Sequence, residues 1–329
     1  MDAPVLVEVT RGPLVESRHR GQIAVVDRHG RLVRRAGDPD VMLCLRSLAK
    51  PFQALPVLTT GAARTFGFGP EELALFSGSL SGEELHVVRV RRVLERLGLK
   101  EGDLACGTQA PLHRATAQAL AQAGEKPTPL HHPCAGKHAM MLALCRHHGW
   151  PTADYQDPDH PVQRLMHRTV AQAAGLSPEE VPLAVDGCGV PTFYLPLRHL
   201  ALAFARLAAA PPDSPEGRLR EAALAHPRLI AGEGRLETIL MERLPGRVFA
   251  KTGAEGGFAL ALVQEGQGVA LKIEDGAARA LNPAILQVAD DLGLLGEADR
   301  EALASHRSPV LRDHLKREVG RIRPVYSLR

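Results

Sequence analysis

Ser47-Leu48-Ala49-Lys50 is the stretch on which the reading of this chain turns. A serine three residues before a lysine shares one helical face with it. A neutral lysine amine on that face can take the serine proton, so that the hydroxyl attacks a carbonyl carbon. Taken alone, the pattern equally describes an ordinary helix start with Ser47 as its cap. Pro51 is tolerated only in the first turn of a helix, so Ser47 is expected at or just before a helix that runs on through Phe52, Gln53, Ala54 and Leu55.

Two later segments extend the pattern. Ser79-Leu80-Ser81 supplies a second serine pair, and Lys251-Thr252-Gly253 supplies a K-T-G. The order S-x-x-K, S-x-polar, K-T-G is similar to that of the penicillin-recognising serine hydrolases.

The surrounding chain predicts an α+β fold. Val5 to Thr10, Gln22 to Asp27 and Arg31 to Arg34 read as strands, with Arg28-His29-Gly30 as a tight hairpin turn. A long helical middle follows, including an amphipathic segment from His86 to Leu97 and a capping box at Ser177-Pro178-Glu179-Glu180. Strands return at Arg247–Ala250, Gly257–Gln264 and Gly268–Glu274, followed by helices near 277–292 and 297–305 and a basic tail with Val325-Tyr326 as an edge strand. This order predicts one antiparallel sheet drawn from both chain ends (about 1–35 and 245–276). A helical body (about 47–244) is inserted between them, and helices and a tail occupy 277–329, all within a single domain over 1–329.

Composition excludes several function classes. Apolar residues make up 45% and charged residues 23%, which supports a packed core and argues against disorder. The 40 basic and 37 acidic residues are well mixed, so nothing points to nucleic acid, and no apolar run approaches a membrane span. Glu8, Arg11 and Glu16 in the opening stretch are unlike a signal peptide. Five cysteines, an odd number, then predict a reducing cytoplasm with free or metal-bound thiols.

Two of those cysteines lie in unusual loops. Cys134-Ala135-Gly136-Lys137-His138 leads into a helix, and Asp186-Gly187-Cys188-Gly189 is a turn after the short strand Pro182–Val185. One thiolate from each, with a nitrogen from His131, His132 or His138, would suit zinc; two buried thiols without metal fit the same spacing. Lys272, in the apolar run Val269-Ala270-Leu271, is either a desolvated base or an outward-facing strand residue. Gly232-Glu233-Gly234-Arg235 is a flexible loop suited to a carboxylate or to a simple turn.

Together these segments resemble the class 3, rhizobial-type L-asparaginases, which are similar in fold to serine β-lactamases and serine-dependent glutaminases. The resemblance rests on Arg46–Gln53, Ser79–Glu83, Cys134–Met141, Asp186–Pro191, Ala231–Arg235, Lys251–Gly256 and Lys272–Gly276. One departure is Leu80, which stands where the family has histidine in its S-H-S-G-E loop. The resemblance implies two catalytic Ser–Lys pairs, Ser47 with Lys50 and Ser79 with Lys272. It implies a zinc ion on Cys134, Lys137 and Cys188, no organic cofactor, and a homodimer. It also places Arg46, Ser81, Asp186, Gly232, Arg235, Lys251 and Thr252 around the substrate.

The function implied is hydrolysis of L-asparagine to L-aspartate and ammonia through an acyl-enzyme, with Ser47 favoured over Ser79 as nucleophile. Arg46 or Arg235 would take the substrate α-carboxylate, and Asp186 a metal-bound group or the α-amino group. The alternatives are a serine-type glutaminase, a penicillin-recognising hydrolase, and a non-catalytic zinc-dependent amino-acid binding protein.

Overall fold

Alternating apolar residues at both ends of the chain build one antiparallel sheet. The computed structural model describes residues 3–329. The first strands are β1 (Val5–Arg11), β2 (Leu14–Asp27) and β3 (Leu32–Ala36), followed by the short β4 (Met42–Cys44). The middle of the chain adds β5 (Leu183–Val185) and β6 (Pro191–Pro196). The C-terminal part adds β7 (Val248–Gly253), β8 (Gly257–Leu262), β9 (Gln267–Ile273), β10 (Val310–Arg312) and β11 (Glu318–Pro324). The main sheet runs β10-β11-β1-β2-β9-β8-β7, with β3 on β2, and every pairing is antiparallel. The fold is therefore α+β, with the sheet drawn from both chain ends and a helical body inserted between.

Three features differ from the sequence-based expectation. β2 spans 14 residues rather than Gln22–Asp27 alone, because its first half pairs with β1 and its second half with β9 and β3. The basic tail is the hairpin β10–β11, and β11 extends the sheet beyond β1. The middle of the chain is not purely helical, since β4, β6 and β5 form a small separate sheet.

The sheet is covered on both faces at its centre, and β8 is buried at every residue. Helix Leu197–Ala209 packs on β2, β8 and β9, and helix Ala278–Asp291 packs on β1, β8, β9 and β11. Gly268 in β9 permits the first of these contacts, because a Cβ there would lie 1.9 Å from the Ala201 carbonyl oxygen and 2.4 Å from the Ala205 amide nitrogen.

Edge strand β7 meets the helical body at the 3₁₀ turn Arg46–Ala49, which continues directly into helix Lys50–Thr59. Ser47 lies inside that turn and caps neither element with its side chain. The ordinary cap reading of S-x-x-K is thereby removed. Arg46 has φ +47°, in the region that favours glycine, and its amide donates to Thr192 Oγ1.

Candidate active site

Four segments converge where β7 meets the helices. The 3₁₀ turn brings Arg46 and Ser47, and the loop after helix Pro70–Ser77 brings Ser79. Cys134 caps helix Ala135–His148, and Asp186 and Cys188 sit on the β5–β6 turn. With Arg235 and Thr252 they line a cavity of about 300 Å³. Gln109, Leu112 and His132 also line it; no sequence pattern marks Gln109 or Leu112, whereas His132 is one of the candidate nitrogen donors. A larger cavity of about 770 Å³, near Phe52, Leu165 and Leu207, holds no cysteine or lysine.

Ser79 is the hub of the site. Its Oγ lies 2.7 Å from Lys251 Nζ and 3.2 Å from Lys50 Nζ, and both lysines are fully buried. Lys50 also donates to the Pro133 carbonyl at 2.8 Å, and Lys251 to that of Thr252 at 2.8 Å. Burial holds the Lys251 amine well below the ordinary lysine range, and the neighbouring Lys50 charge adds to this. Burial also lowers Lys50, against the opposing pull of Cys134. Two adjacent buried amines disfavour double protonation, so a neutral amine is available to a serine proton.

The expected partner of Ser79 was Lys272, and the structure corrects this pairing. Across β7–β8–β9 the register is Lys251–Ala259–Ala270, and Lys272 aligns with Gly257 and Gly253. The two lysines therefore share a sheet face, but Lys272 is two strands and one pleat away from Lys251. Its amine donates to the carbonyls of Glu255 and Ile273. Lys251, expected beside the substrate, takes the place at Ser79. The signal for it was the same one that singled out Lys272, a lysine closing an apolar strand, here Val248-Phe249-Ala250. The expected contact between Ser47 and Lys50 is likewise not a hydrogen bond among the described residues, because Lys50 turns to Ser79.

Arg46 and Asp186, expected to take opposite ends of the substrate, face each other in a salt bridge. Arg235 reaches the same cavity and donates to the buried Glu237 at 3.3 Å. The Thr252 hydroxyl is buried there without a hydrogen-bond partner among the described residues. Ser81 does not line the cavity; its hydroxyl donates to Glu83. Gly232 packs behind Ser81 and Glu83 rather than lining the pocket. Leu80 is fully buried, and its amide donates to the Pro133 carbonyl.

The sulfur cluster adjoins these groups. Donor atoms of Cys134, Asp186 and Cys188 lie within 4.8 Å of one another, all buried. Lys137 Nζ is 3.1 Å from Cys188 Sγ and 3.8 Å from Asp186 Oδ2. A hydrogen bond from Cys188 outweighs burial and holds the Cys134 thiol well below its usual range, with Lys50 and Lys137 assisting. That same bond raises Cys188. Burial works to lower Lys137, but Cys134, Cys188 and Asp186 outweigh it and raise the amine. Cys106 and Cys145 are instead pushed up to about 12 by burial, so the acidic thiol belongs to the cluster. Of the histidines weighed as the nitrogen donor, His132 accepts from the Cys134 amide and His138 hydrogen-bonds Tyr155. Two sulfurs with a nitrogen and a carboxylate at this spacing are chemically suited to zinc.

No curated protein sequence matches the chain. Among solved structures it is similar to Mglu crystallised in 4.3 M NaCl, at 15% identity and TM-score 0.44 over 84% of this chain; the chain spans 63% of Mglu. It is similar to a β-lactamase from Mycobacterium bovis, at 16% identity and TM-score 0.41 over 87% of this chain and 95% of that one. A probable glutaminase from Bacillus subtilis, complexed with 6-diazo-5-oxo-L-norleucine, aligns at 12% identity and TM-score 0.36 over 83% and 84% of the two chains. Residues 7–324 match the family profile of L-asparaginase II. With nearly the whole chain inside that match, the protein belongs to the L-asparaginase II family, a family of amidohydrolases acting on L-asparagine.

Proposed function

We propose that this chain performs the L-asparagine hydrolysis of its family with Ser47 as nucleophile and Ser79 as the proton bridge between Lys50 and Lys251. The observation that carries the reading is the double contact of Ser79 Oγ with two buried amines. A hydroxyl held between two amines is poised to pass protons. Ser47 is half-buried, lines the cavity and begins the run into helix Lys50–Thr59, where backbone amides favour a developing oxyanion.

Ser47 Oγ bonds to the side-chain amide carbon of asparagine while its proton passes to the neutral Lys50 amine, which turns from Ser79 toward Ser47 to take it. The proton moves through Ser79 to the amide nitrogen, the C–N bond breaks, and ammonia leaves. Water then attacks the aspartyl ester, returns a proton to Ser47 and releases aspartate. The Arg46–Asp186 pair matches an α-amino acid zwitterion, with Arg46 or Arg235 for its carboxylate and Asp186 for its ammonium. The unpartnered Thr252 hydroxyl is available to the substrate as well.

The proposal includes zinc. Cys134, Lys137 and Cys188 would hold it, with Asp186 beside them, and Lys137 would bind as the neutral amine. The ion would supply positive charge next to the substrate site and tie the Cys134 and Cys188 turns together. A single catalytic unit over 1–329, a homodimer and a cytoplasmic enzyme complete the reading; the homodimer rests on the family alone and the compartment on the odd number of cysteines.

The test is ammonia release from L-asparagine, with L-glutamine alongside. Peptide mapping of the trapped aspartyl ester then identifies the acylated serine. Ser47→Ala is expected to abolish both turnover and ester, and an ester on Ser79 would reverse the assignment. Exhaustive chelation is expected to raise KM and lower Tm before it affects kcat.

A further inference from the structure

The loop carrying Ser79 is joined to the loop carrying Arg235 through one buried carboxylate. Glu83, Ser81 and His86 are 6%, 1% and 0% exposed. Glu83 Oε2 accepts the Ser81 hydroxyl at 2.5 Å and, from the other loop, the Glu233 amide at 3.1 Å. Arg228 lies 3.5 Å from Oε1 and 3.0 Å from Glu233. His86 backs the carboxylate at 3.8 Å and contacts the Arg228 carbonyl through Nε2 at 2.9 Å. The facing backbone is Gly232, with φ +99°. A Cβ there would lie 2.1 Å from Ser81 Oγ and 2.2 Å from Glu83 Oε2. Two backbone bonds finish the seam: the Ser79 amide donates to the Ile230 carbonyl at 2.7 Å, and the His113 amide to that of Ser81 at 2.9 Å.

We infer that Glu83 is a positioning residue that sets the distance between Ser79 and Arg235, and thereby the fit of the substrate carboxylate. The inference rests on the proposed roles of Ser79 and Arg235. Glu83 does not line the cavity, so it acts through the two loops and not on the substrate. An ion pair placed only for stability would not need a glycine packed against both of its hydrogen-bonded atoms. The carboxylate also bonds a main-chain amide of the second loop rather than a mobile side chain, so a shift of Glu83 carries that backbone with it.

The experiment measures KM and kcat for L-asparagine, per mole of protein shown folded by circular dichroism. The variants are Glu83→Ala, Glu83→Gln, Gly232→Ala and Arg235→Ala. Glu83→Ala is expected to raise KM roughly 10–100-fold, the scale of a supporting-group loss or a displacement near 1 Å. Glu83→Gln keeps an oxygen for Ser81 and Glu233 and is expected to remain within about 3-fold of wild type, because only the longer Oε1 contacts are lost, with Arg228 at 3.5 Å and the Glu233 amide at 3.4 Å. Gly232→Ala forces the loops apart from the opposite side and is expected to raise KM like Glu83→Ala; it keeps the inference testable if Glu83→Ala fails to fold. Arg235→Ala in the Glu83→Ala background is expected to add little, because both act on one contact.

If Arg235→Ala alone leaves KM unchanged, the role given to Arg235 fails. If Arg235→Ala raises KM while folded Gly232→Ala and Glu83→Ala do not, the positioning inference fails and the Arg235 role stands. If Glu83 variants lose Tm with kcat and KM intact, Glu83 serves stability only and the inference is overturned.

Discussion

Lys251 and Lys272 occupy the same face of the same sheet, each near the end of an apolar strand, yet their surroundings differ. Lys251 stands on edge strand β7, against the Arg46–Ala49 turn, and is wholly buried with Ser79 at 2.7 Å. Lys272 stands on β9 and spends its protons on two backbone carbonyls. Burial lowers both amines, but only Lys251 contacts a hydroxyl, and that hydroxyl also contacts a second amine, Lys50. A lowered amine is therefore a consequence of burial, and the hydroxyl partner is what makes it chemically useful.

The largest effect should separate these two lysines. Lys251→Met is expected to lower kcat by about 10²–10⁴-fold, the usual worth of a positioned proton-transfer group, and Lys272→Met to leave it within about 3-fold. Equal losses in the two variants would return Lys272 to the catalytic set. The next test is the pH profile of kcat/KM. A lowered amine is neutral above its pKa and protonated below it. Activity should hold on the alkaline side and fall as pH drops through the lowered value shared by Lys50 and Lys251. A profile that falls only below the histidine range, unchanged in Lys251→Met, would remove the amines from the mechanism.

Stability should show the same contrast with opposite sign. An unfolded chain carries Lys251 protonated up to about pH 10, whereas the fold resists that proton. Between the lowered pKa and pH 10 the unfolded state binds more protons, so this group costs stability that is recovered as pH rises. Lys251→Met is thus expected to raise Tm by a few degrees at neutral pH, with the gain shrinking toward pH 10. A thermal scan at pH 7 and pH 10 measures it, and an unstable Lys251→Met at pH 7 would contradict the burial argument.

How far the sequence revealed this site depends on whether a local pattern or a register decided each contact. S-x-x-K placed Lys50 one turn from Ser47, and apolar runs gave the strands of β7, β8 and β9. The partner of Ser79 depended on register across two hairpins, and a shift of one pleat exchanges Lys251 for Gly253. The approach of Cys134 to Cys188 depended on the turn between β5 and β6, and β6 itself was not legible because it lies in a small sheet with short partners. In β11, Gly320 and Ile322 point inward while Arg321 and Arg323 point out. That alternation is in the sequence, but the interleaved arginines mask it. No local pattern marks Glu83 as a link between loops, because its partners Glu233 and Arg228 are about 150 residues away.

The smallest effect concerns what the Lys272–Gly276 motif does if it does not serve Ser79. Asp275 Oδ2 lies 2.7 Å from His19 Nδ1 on β2, and Arg279 Nε donates to His19 Nε2 at 2.9 Å. Asp275 Oδ1 accepts the Ala277 amide at 3.0 Å, which opens helix Ala278–Asp291. The segment is thus a latch that fastens the start of this helix to the sheet. Burial raises the Asp275 carboxyl, but the Ala277 and His19 hydrogen bonds outweigh it and hold the group below its ordinary value. Its contribution is therefore present above the unfolded carboxyl pKa near 3.9 and lost as pH falls through the folded value. The Asp275 side chain is 48% exposed, so solvent screening limits the pair to below about 1 kcal/mol. Asp275→Asn keeps the turn-forming oxygen and removes the charge. It should lower the urea midpoint slightly at pH 7, by an amount that persists to about pH 4 and is lost below it as the folded carboxylate takes up its proton, with kcat unchanged. A large loss of kcat in that variant would mean that this end of β9 serves the reaction after all, and the contrast between the two lysines would have to be redrawn.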